Sequence, residues 1–159
     1  MKIRILCVGK LKEAYWREAE AEYVKRLSAY TQVMVEELPD ASISKNASAK
    51  EESQIKEKEG EELLSRLKPG EFVCLLDLNK EEPDSYALAK KIESMLQRGG
   101  ASLTFVIGGS LGLGENIRKR GNAALSLSKL TFTHQMTRLI LLEQIYRSFK
   151  ILRGEPYSK

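Results

Sequence analysis

Short apolar runs that alternate with longer helical stretches are the feature that most constrains the fold of this chain. Strand-like runs cover residues 3–8, 33–38, 72–76, 103–107 and 123–127. Apolar residues at helical spacing predict a helix over residues 14–30. Further helices are expected over 50–67, which is strongly charged, and over 83–98, 115–120 and 133–150, with Pro83 in the first turn of the third helix. This alternation is typical of a mainly parallel sheet. We therefore predict an α/β fold with helices on both faces of the sheet.

The length and composition fit a single domain. The chain has 159 residues, of which 42% are apolar and 30% charged, which is ordinary for a soluble globular protein. Neither a repeat nor a linker divides residues 1–159, and only residues 41–50 read as a flexible loop. No apolar run reaches 18 residues, and residues 1–10 are typical of a first strand rather than a signal peptide. We predict one domain without a membrane span.

The cysteines and the histidine limit the chemistry. Cys7 and Cys74 each lie within a strand-like run, without a neighbouring ligand pattern. They predict buried, reduced thiols in a cytoplasmic protein. The chain has a single histidine, which excludes a site with several histidine ligands. We predict no metal.

Positive charge is concentrated in the last third of the sequence. Residues 115–159 carry nine Lys or Arg against three Glu, whereas residues 1–114 have a net charge of −2. Such asymmetry is typical of a surface that meets nucleic acid. A solvated basic helix face would give the same count, so charge alone leaves both interpretations open.

A glycine-rich segment, "VIGGSLGLG" at residues 106–114, follows the fourth strand. It lacks the lysine of a triphosphate-binding loop, because Glu115 follows Gly114, and it does not match the dinucleotide-binding pattern. It lies at the carboxyl end of a strand, as does "LDLNK" after the third strand, where ligands bind in parallel sheets. The glycines indicate either a tight turn or a backbone that approaches a ligand closely.

Several segments together resemble one protein family. They are "FVIGGSLGL" (105–113), "LSLSKLTFTHQMTRLILLEQIYRSFKI" (125–151) and "RGEPY" (153–157), with "MKIRILCVGKLKEAYWREAEAEYVKRL" (1–27) and "KEKEG" (56–60). In order, spacing and total length they resemble the RlmH family. Its members are SPOUT-class methyltransferases that methylate N3 of a pseudouridine in 23S ribosomal RNA.

The resemblance implies features that the residue pattern alone does not show. It implies a C-terminal deep trefoil knot, whose loops hold S-adenosylmethionine as the cofactor. It implies a homodimer in which the last helix lies at the interface and the second copy completes the site. It also implies that the substrate is 23S rRNA in the large subunit or the assembled ribosome.

The resemblance also assigns cofactor-binding residues. They are Leu76, Gly108, Leu127, Ser128, Lys129, Leu130, Thr131 and Phe132. Apolar walls with backbone polar groups suit adenine, and Gly108 and Gly109 are expected to leave room for the ligand.

Catalytic roles are assigned to Glu143, Arg147, Tyr157 and the position of Ser158. Glu143 and Arg147 lie four residues apart on the last helix, so an ordinary helix salt bridge explains them equally well. The tail reads "EPYSK", with Ser158 where the family has a histidine. A serine hydroxyl does not accept a proton near pH 7 as an imidazole does. The alternative to an active methyltransferase is therefore a SPOUT-like rRNA-binding protein whose methyl transfer is weak or altered because Ser158 replaces the histidine.

RNA contacts are expected from Arg138, Arg153 and Lys159, although solvated arginines would look the same. His134, at the start of the last helix, is expected to cap the helix or to pack against its neighbours.

A third interpretation is a small-molecule-binding domain of the flavodoxin-like kind. It explains the alternation of strands and helices, but not the basic tail or the glycine loop.

Overall fold

The structure is a computed structural model and describes residues 1–157. The strands within these residues are β1 (Lys2–Val8), β2 (Gln32–Leu38), β3 (Val73–Leu76), β4 (Ser102–Ile107) and β5 (Ala123–Leu125). The helices are α1 (Ala14–Leu27), α2 (Ala49–Ser65), α3 (Ser85–Arg98), α4 (Glu115–Arg120) and α5 (His134–Leu152). Each predicted strand and helix is present.

The strands form one parallel sheet in the order β2-β1-β4-β3-β5. On β1, Ile5 lies opposite Val35 of β2 and Phe105 of β4. The three strands β4, β3 and β5 are neighbours, so their carboxyl ends meet at one edge of the sheet. The predicted α/β fold is confirmed.

Alternate residues of the strands point to opposite faces of the sheet. Ile5 and Cys7 belong to an apolar cluster completed by residues of α1, α3 and α5, whereas Leu6 and Val8 belong to one completed by α2 and α4. The residues of both clusters are buried, with exposed fractions of at most 7%. Helices therefore cover both faces, as predicted.

The ends of several elements differ from the prediction, because local hydrogen bonds set them. The Asp84 side chain accepts a hydrogen bond from Ala87 N (2.8 Å) and caps α3, so Pro83 precedes the cap. The prediction that Pro83 lies in the first helical turn is therefore wrong. Strand β5 ends at Leu125, because Ser126 N donates to Glu81 O (2.8 Å) instead of a neighbouring strand.

Both cysteines are fully buried free thiols, as predicted. Burial raises the pKa of each thiol to about 12.

Among residues 1–157 no helix is both long and apolar enough to cross a membrane. The same residues contain no group of three or more His, Cys, Asp or Glu arranged to hold a metal ion.

Candidate functional site

A cavity of about 700 Å³ lies at the carboxyl ends of β3, β4 and β5. Leu76 and Asp77 come from the end of β3, Gly108 from the end of β4, and Ser126 from the end of β5. The N-terminus of α5 forms a further wall. This is the edge at which parallel sheets bind ligands.

The cavity gathers almost all of the predicted cofactor-binding residues. Seven of the eight line it: Leu76, Gly108, Leu127, Ser128, Leu130, Thr131 and Phe132. Lys129 is not among the residues that line it. Residues separated by about 50 positions in the sequence therefore line one cavity.

The glycine loop folds back on itself next to the cavity. Gly112 has a φ of +86° and its N–H donates to Gly109 O (3.0 Å). A Cβ atom on Gly108 would lie 2.8 Å from Leu113 Cδ2, and one on Gly109 would lie 3.1 Å from Glu59 Oε1. The space beside these glycines is therefore filled by the protein itself, which corrects the expectation that they leave room for the ligand. It is their backbone that faces the cavity.

The opposite wall, residues 126–132, is held by its own serine side chains. Ser126 Oγ donates to Ser128 O (2.8 Å), and Leu130 N donates to Ser128 Oγ (3.0 Å). Leu130 remains 69% exposed. This wall combines apolar side chains with backbone polar groups, which suits a planar, hydrogen-bonding ligand.

An ion pair also lines the cavity. Arg118 donates from Nε to Asp77 Oδ2 (2.9 Å) and from Nη2 to Asp77 Oδ1 (3.1 Å). The Asp77 side chain is only 5% exposed. Hydrogen bonding to Asp77 raises the pKa of Arg118 above its usual value. Arg118 is therefore charged at neutral pH.

His134 packs in the cavity wall, and its neighbour Thr133 caps α5 by accepting from Met136 N (3.3 Å). The imidazole lies against Gly9, where a Cβ atom would be 2.7 Å from His134 Cε1. Burial, and then the charge of Arg138, lower the pKa of His134. The ring is therefore neutral at pH 7, and its buried Nδ1 has no hydrogen-bond partner among the described residues.

The predicted catalytic residues form a second cluster. Tyr157 donates its hydroxyl hydrogen to Glu143 Oε2 (2.8 Å), and Arg147 Nη2 donates to the same oxygen (2.9 Å). The Arg147 guanidinium lies 4.8 Å from the centre of the Tyr157 ring. Burial and the bond to Glu143 raise the pKa of Tyr157. The Glu143 cluster (Glu143, Arg147 and Tyr157) thus contains the salt bridge between Glu143 and Arg147 and, in addition, the hydroxyl group of Tyr157.

The Glu143 cluster does not line the cavity. Thr137 is the last cavity residue on α5, and Glu143 lies about 9 Å farther along the helix axis. The tail is held there by Glu155, which accepts from Tyr30 Oη (2.8 Å) and Lys150 Nζ (3.0 Å). Within one chain, the cavity and the cluster are separate.

The predicted RNA-binding residues differ in their surroundings. Arg138 is 1% exposed and donates to Glu37 Oε2 (2.6 Å), Glu20 Oε2 (3.1 Å) and Gly9 O (3.1 Å). This burial argues against the expected phosphate contact, because Arg138 joins β1, β2, α1 and α5. Arg153 is exposed, with its guanidinium over the Tyr30 ring. The predictions for Ser158 and Lys159 concern residues outside those that the structure describes.

Sequence analysis did not single out Asp77 or Arg118. The strand-end segment "LDLNK" pointed to the region of Asp77, but nothing in the sequence indicated its partner 41 residues later. Arg118 lies on the short helix α4, where three consecutive basic residues look like a solvated surface.

A comparison with known protein families covers nearly the whole chain. The family model described as "Predicted SPOUT methyltransferase" matches residues 1–158. The match includes every residue of the cavity and of the Glu143 cluster.

Proposed function

Because the chain belongs to the SPOUT methyltransferase family, we propose that it methylates N3 of a pseudouridine in 23S ribosomal RNA, with S-adenosylmethionine as the donor. Family membership supports methyl transfer from S-adenosylmethionine in general. The RNA acceptor rests on the resemblance of the C-terminal segments to the RlmH family. The observation that carries the proposal is the single cavity lined by seven of the eight expected cofactor residues.

The residues of the cavity fit an adenosyl ligand. The backbone of Gly108 and residues 126–132 offer hydrogen-bonding groups, while Leu76, Leu127 and Phe132 offer apolar surface. When bound, the cofactor supplies a methyl group on a positively charged sulfur. The contribution of the protein is to hold donor and acceptor in line, which accounts for up to about 7–11 kcal/mol in favourable cases.

The acceptor nitrogen carries a proton that must leave. In the proposed reaction the N3–methyl bond forms as the sulfur–methyl bond breaks, and the N3 proton passes to a base. Glu143 is the carboxylate available for this step in the Glu143 cluster, where Arg147 and Tyr157 orient it. Tyr157 also offers a ring on which a base can stack.

The separation of the cavity from the Glu143 cluster supports a homodimer. In the proposed assembly, the cavity of one copy faces the Glu143 cluster of the second, so that donor and base meet between the copies. Arg153 and Lys159 are proposed to contact the phosphates of the rRNA. The ribosomal acceptor implies a cytoplasmic location. The knotted threading implied by the resemblance stays a prediction.

The decisive experiment measures methyl transfer from labelled S-adenosylmethionine to ribosomes that lack this modification. Cofactor binding is measured in parallel, and Ser158→His is the matched variant. Transfer by the natural chain supports the proposal. Transfer by Ser158→His alone, with equal cofactor binding, favours the rRNA-binding alternative. No binding of S-adenosylmethionine by either chain contradicts the proposal and favours a different small-molecule ligand.

A further inference from the structure

The wall of the cavity contains one buried anion beside one cation. Among the described residues that line the cavity, Asp77 is the one acidic side chain and Arg118 the one Lys or Arg, while burial lowers the pKa of His134. The other lining residues are apolar, small or uncharged. A ligand that fills this cavity therefore meets both signs of charge at a single place.

Asp77 and Arg118 line both the cavity and a second, smaller recess. This recess, of about 210 Å³, is lined by Asp77 and Arg118 together with Lys80 and Asn122. Asp77 therefore lines both spaces, although its side chain is only 5% exposed. Arg118 uses two of the lone-pair positions of this carboxylate, and others remain for a second donor.

A second carboxylate, that of Glu115, accepts a hydrogen bond from Arg118. Nη1 of Arg118 donates to Glu115 Oε1 (3.1 Å), and the Glu115 side chain is 73% exposed. An exposed ion pair of this kind contributes little to stability. A ligand carboxylate can therefore replace Glu115 at the same guanidinium nitrogen without a large cost.

We propose that Asp77 and Arg118 bind the amino-acid end of the cofactor. Asp77 accepts from the α-ammonium group, and Arg118 donates to the α-carboxylate in place of Glu115. The inference rests on the proposed function, since it takes S-adenosylmethionine as the ligand. It assigns these two residues the role of selecting nucleosides that carry a zwitterionic tail.

The test compares ligands that differ only in this tail. Calorimetry measures binding of S-adenosylmethionine, S-adenosylhomocysteine and 5′-methylthioadenosine, which has no amino acid, to the full-length chain. In Arg118→Gln the first two ligands are expected to bind about 10- to 100-fold more weakly, as for the loss of a charged hydrogen bond. Binding of 5′-methylthioadenosine is expected to stay within about twofold.

Two further variants separate ligand binding from folding. Glu115→Gln removes the competing carboxylate and is expected to bind S-adenosylhomocysteine at least as tightly as the natural chain. Asp77→Asn is expected to lose affinity for S-adenosylhomocysteine but not for its deamino analogue. Thermal unfolding of each variant shows whether the fold survives the substitution.

The outcomes distinguish this inference from the function on which it rests. Equal loss of affinity for all three ligands in Arg118→Gln would overturn the inference alone, because it would show that the pair only shapes the wall. A natural chain that binds none of the three ligands would overturn the proposed function and the inference together. Selective loss for the ligands with an amino acid supports both.

Discussion

At the scale of single residues, His134 offers the cleanest measurement, because it is the one histidine of the chain. Burial and Arg138 lower its pKa from the ordinary 6.5. We expect the imidazole Cε1–H resonance to titrate with a midpoint below 6.5 in the folded protein and near 6.5 in urea. A midpoint at or above 6.5 in the folded protein would contradict the buried, neutral ring.

The same shift determines how this residue affects stability. The unfolded chain binds a proton at His134 below about pH 6.5, whereas the folded chain does so only at lower pH. The contribution of His134 to the free energy of unfolding is therefore complete above pH 6.5 and is lost as the pH falls toward the folded-state pKa. This is the sign expected for a group that folding keeps neutral.

Arg138 is the second residue whose environment leads to a measurement. Arg138→Ala leaves the carboxylates of Glu20 and Glu37 without their shared cation, and we expect the free energy of unfolding to fall by about 3 kcal/mol. Arg26→Ala breaks the exposed pair with Glu22 and is the matched control, with a much smaller effect. Denaturant unfolding of both variants measures the difference, and equal losses would show that Arg138 is no more important than a surface arginine.

Arg138 forms ion pairs that the sequence alone does not predict. Its partners lie 101 and 118 residues earlier in the chain, and an arginine followed by apolar residues gives no sign of them. The expected cofactor residues lie in three separate segments and were assigned only through the family resemblance. The pair of Asp77 and Arg118 was not predicted, because its two halves come from different elements.

At the scale of structural elements, the glycine loop connects packing to binding. Gly108→Ala places a Cβ atom 2.8 Å from Leu113, so either the side chain or the loop must move. We expect a loss of about 1–3 kcal/mol in the free energy of unfolding and weaker binding of S-adenosylmethionine. Thermal unfolding and calorimetry measure the two effects.

Gly70→Ala is the control for the glycine loop. Gly70 is exposed, and no atom lies within 4 Å of the Cβ position, so the substitution is expected to change neither stability nor binding appreciably. Unchanged binding in Gly108→Ala would show that the loop adapts without altering the cavity.

The elements themselves were predictable because short apolar runs alternate with longer helical stretches, whereas their ends were not. Asp84 moves the start of α3 beyond Pro83, and the bond from Ser126 to Glu81 O shortens β5. Both effects depend on single hydrogen bonds. The hydrogen bond from Ser126 connects two segments that lie 45 residues apart. An apolar period describes only the neighbouring residues of one element and gives no sign of such a contact.

At the scale of the whole molecule, the separate cavity and Glu143 cluster predict complementation between copies. Ser128→Trp fills part of the cavity, and Glu143→Gln removes the proposed base. Each variant alone is expected to be inactive. After the two are mixed and exchanged, half of the dimers combine both variants, and each of these has one intact site. About one quarter of the natural methyl-transfer activity is therefore expected.

Calorimetry and light scattering provide the controls for the mixture. Glu143→Gln should still bind S-adenosylmethionine, and both variants should remain dimers. A mixture as inactive as its components would contradict a site shared between copies. Activity of either variant alone would contradict the role assigned to its residue.

The order in which the chain is synthesised determines when the cavity can form. Every strand is complete by Leu125, yet α5, which closes one wall and covers one apolar face with Leu141, Ile145 and Phe149, begins only at His134. A ribosome that stalls or meets a premature stop between these points releases a chain with a full sheet and one apolar face that α1 and α3 cover only in part. Such a product binds no cofactor and presents the surface that chaperones and proteases recognise. Incomplete copies are thus both inactive and easily cleared.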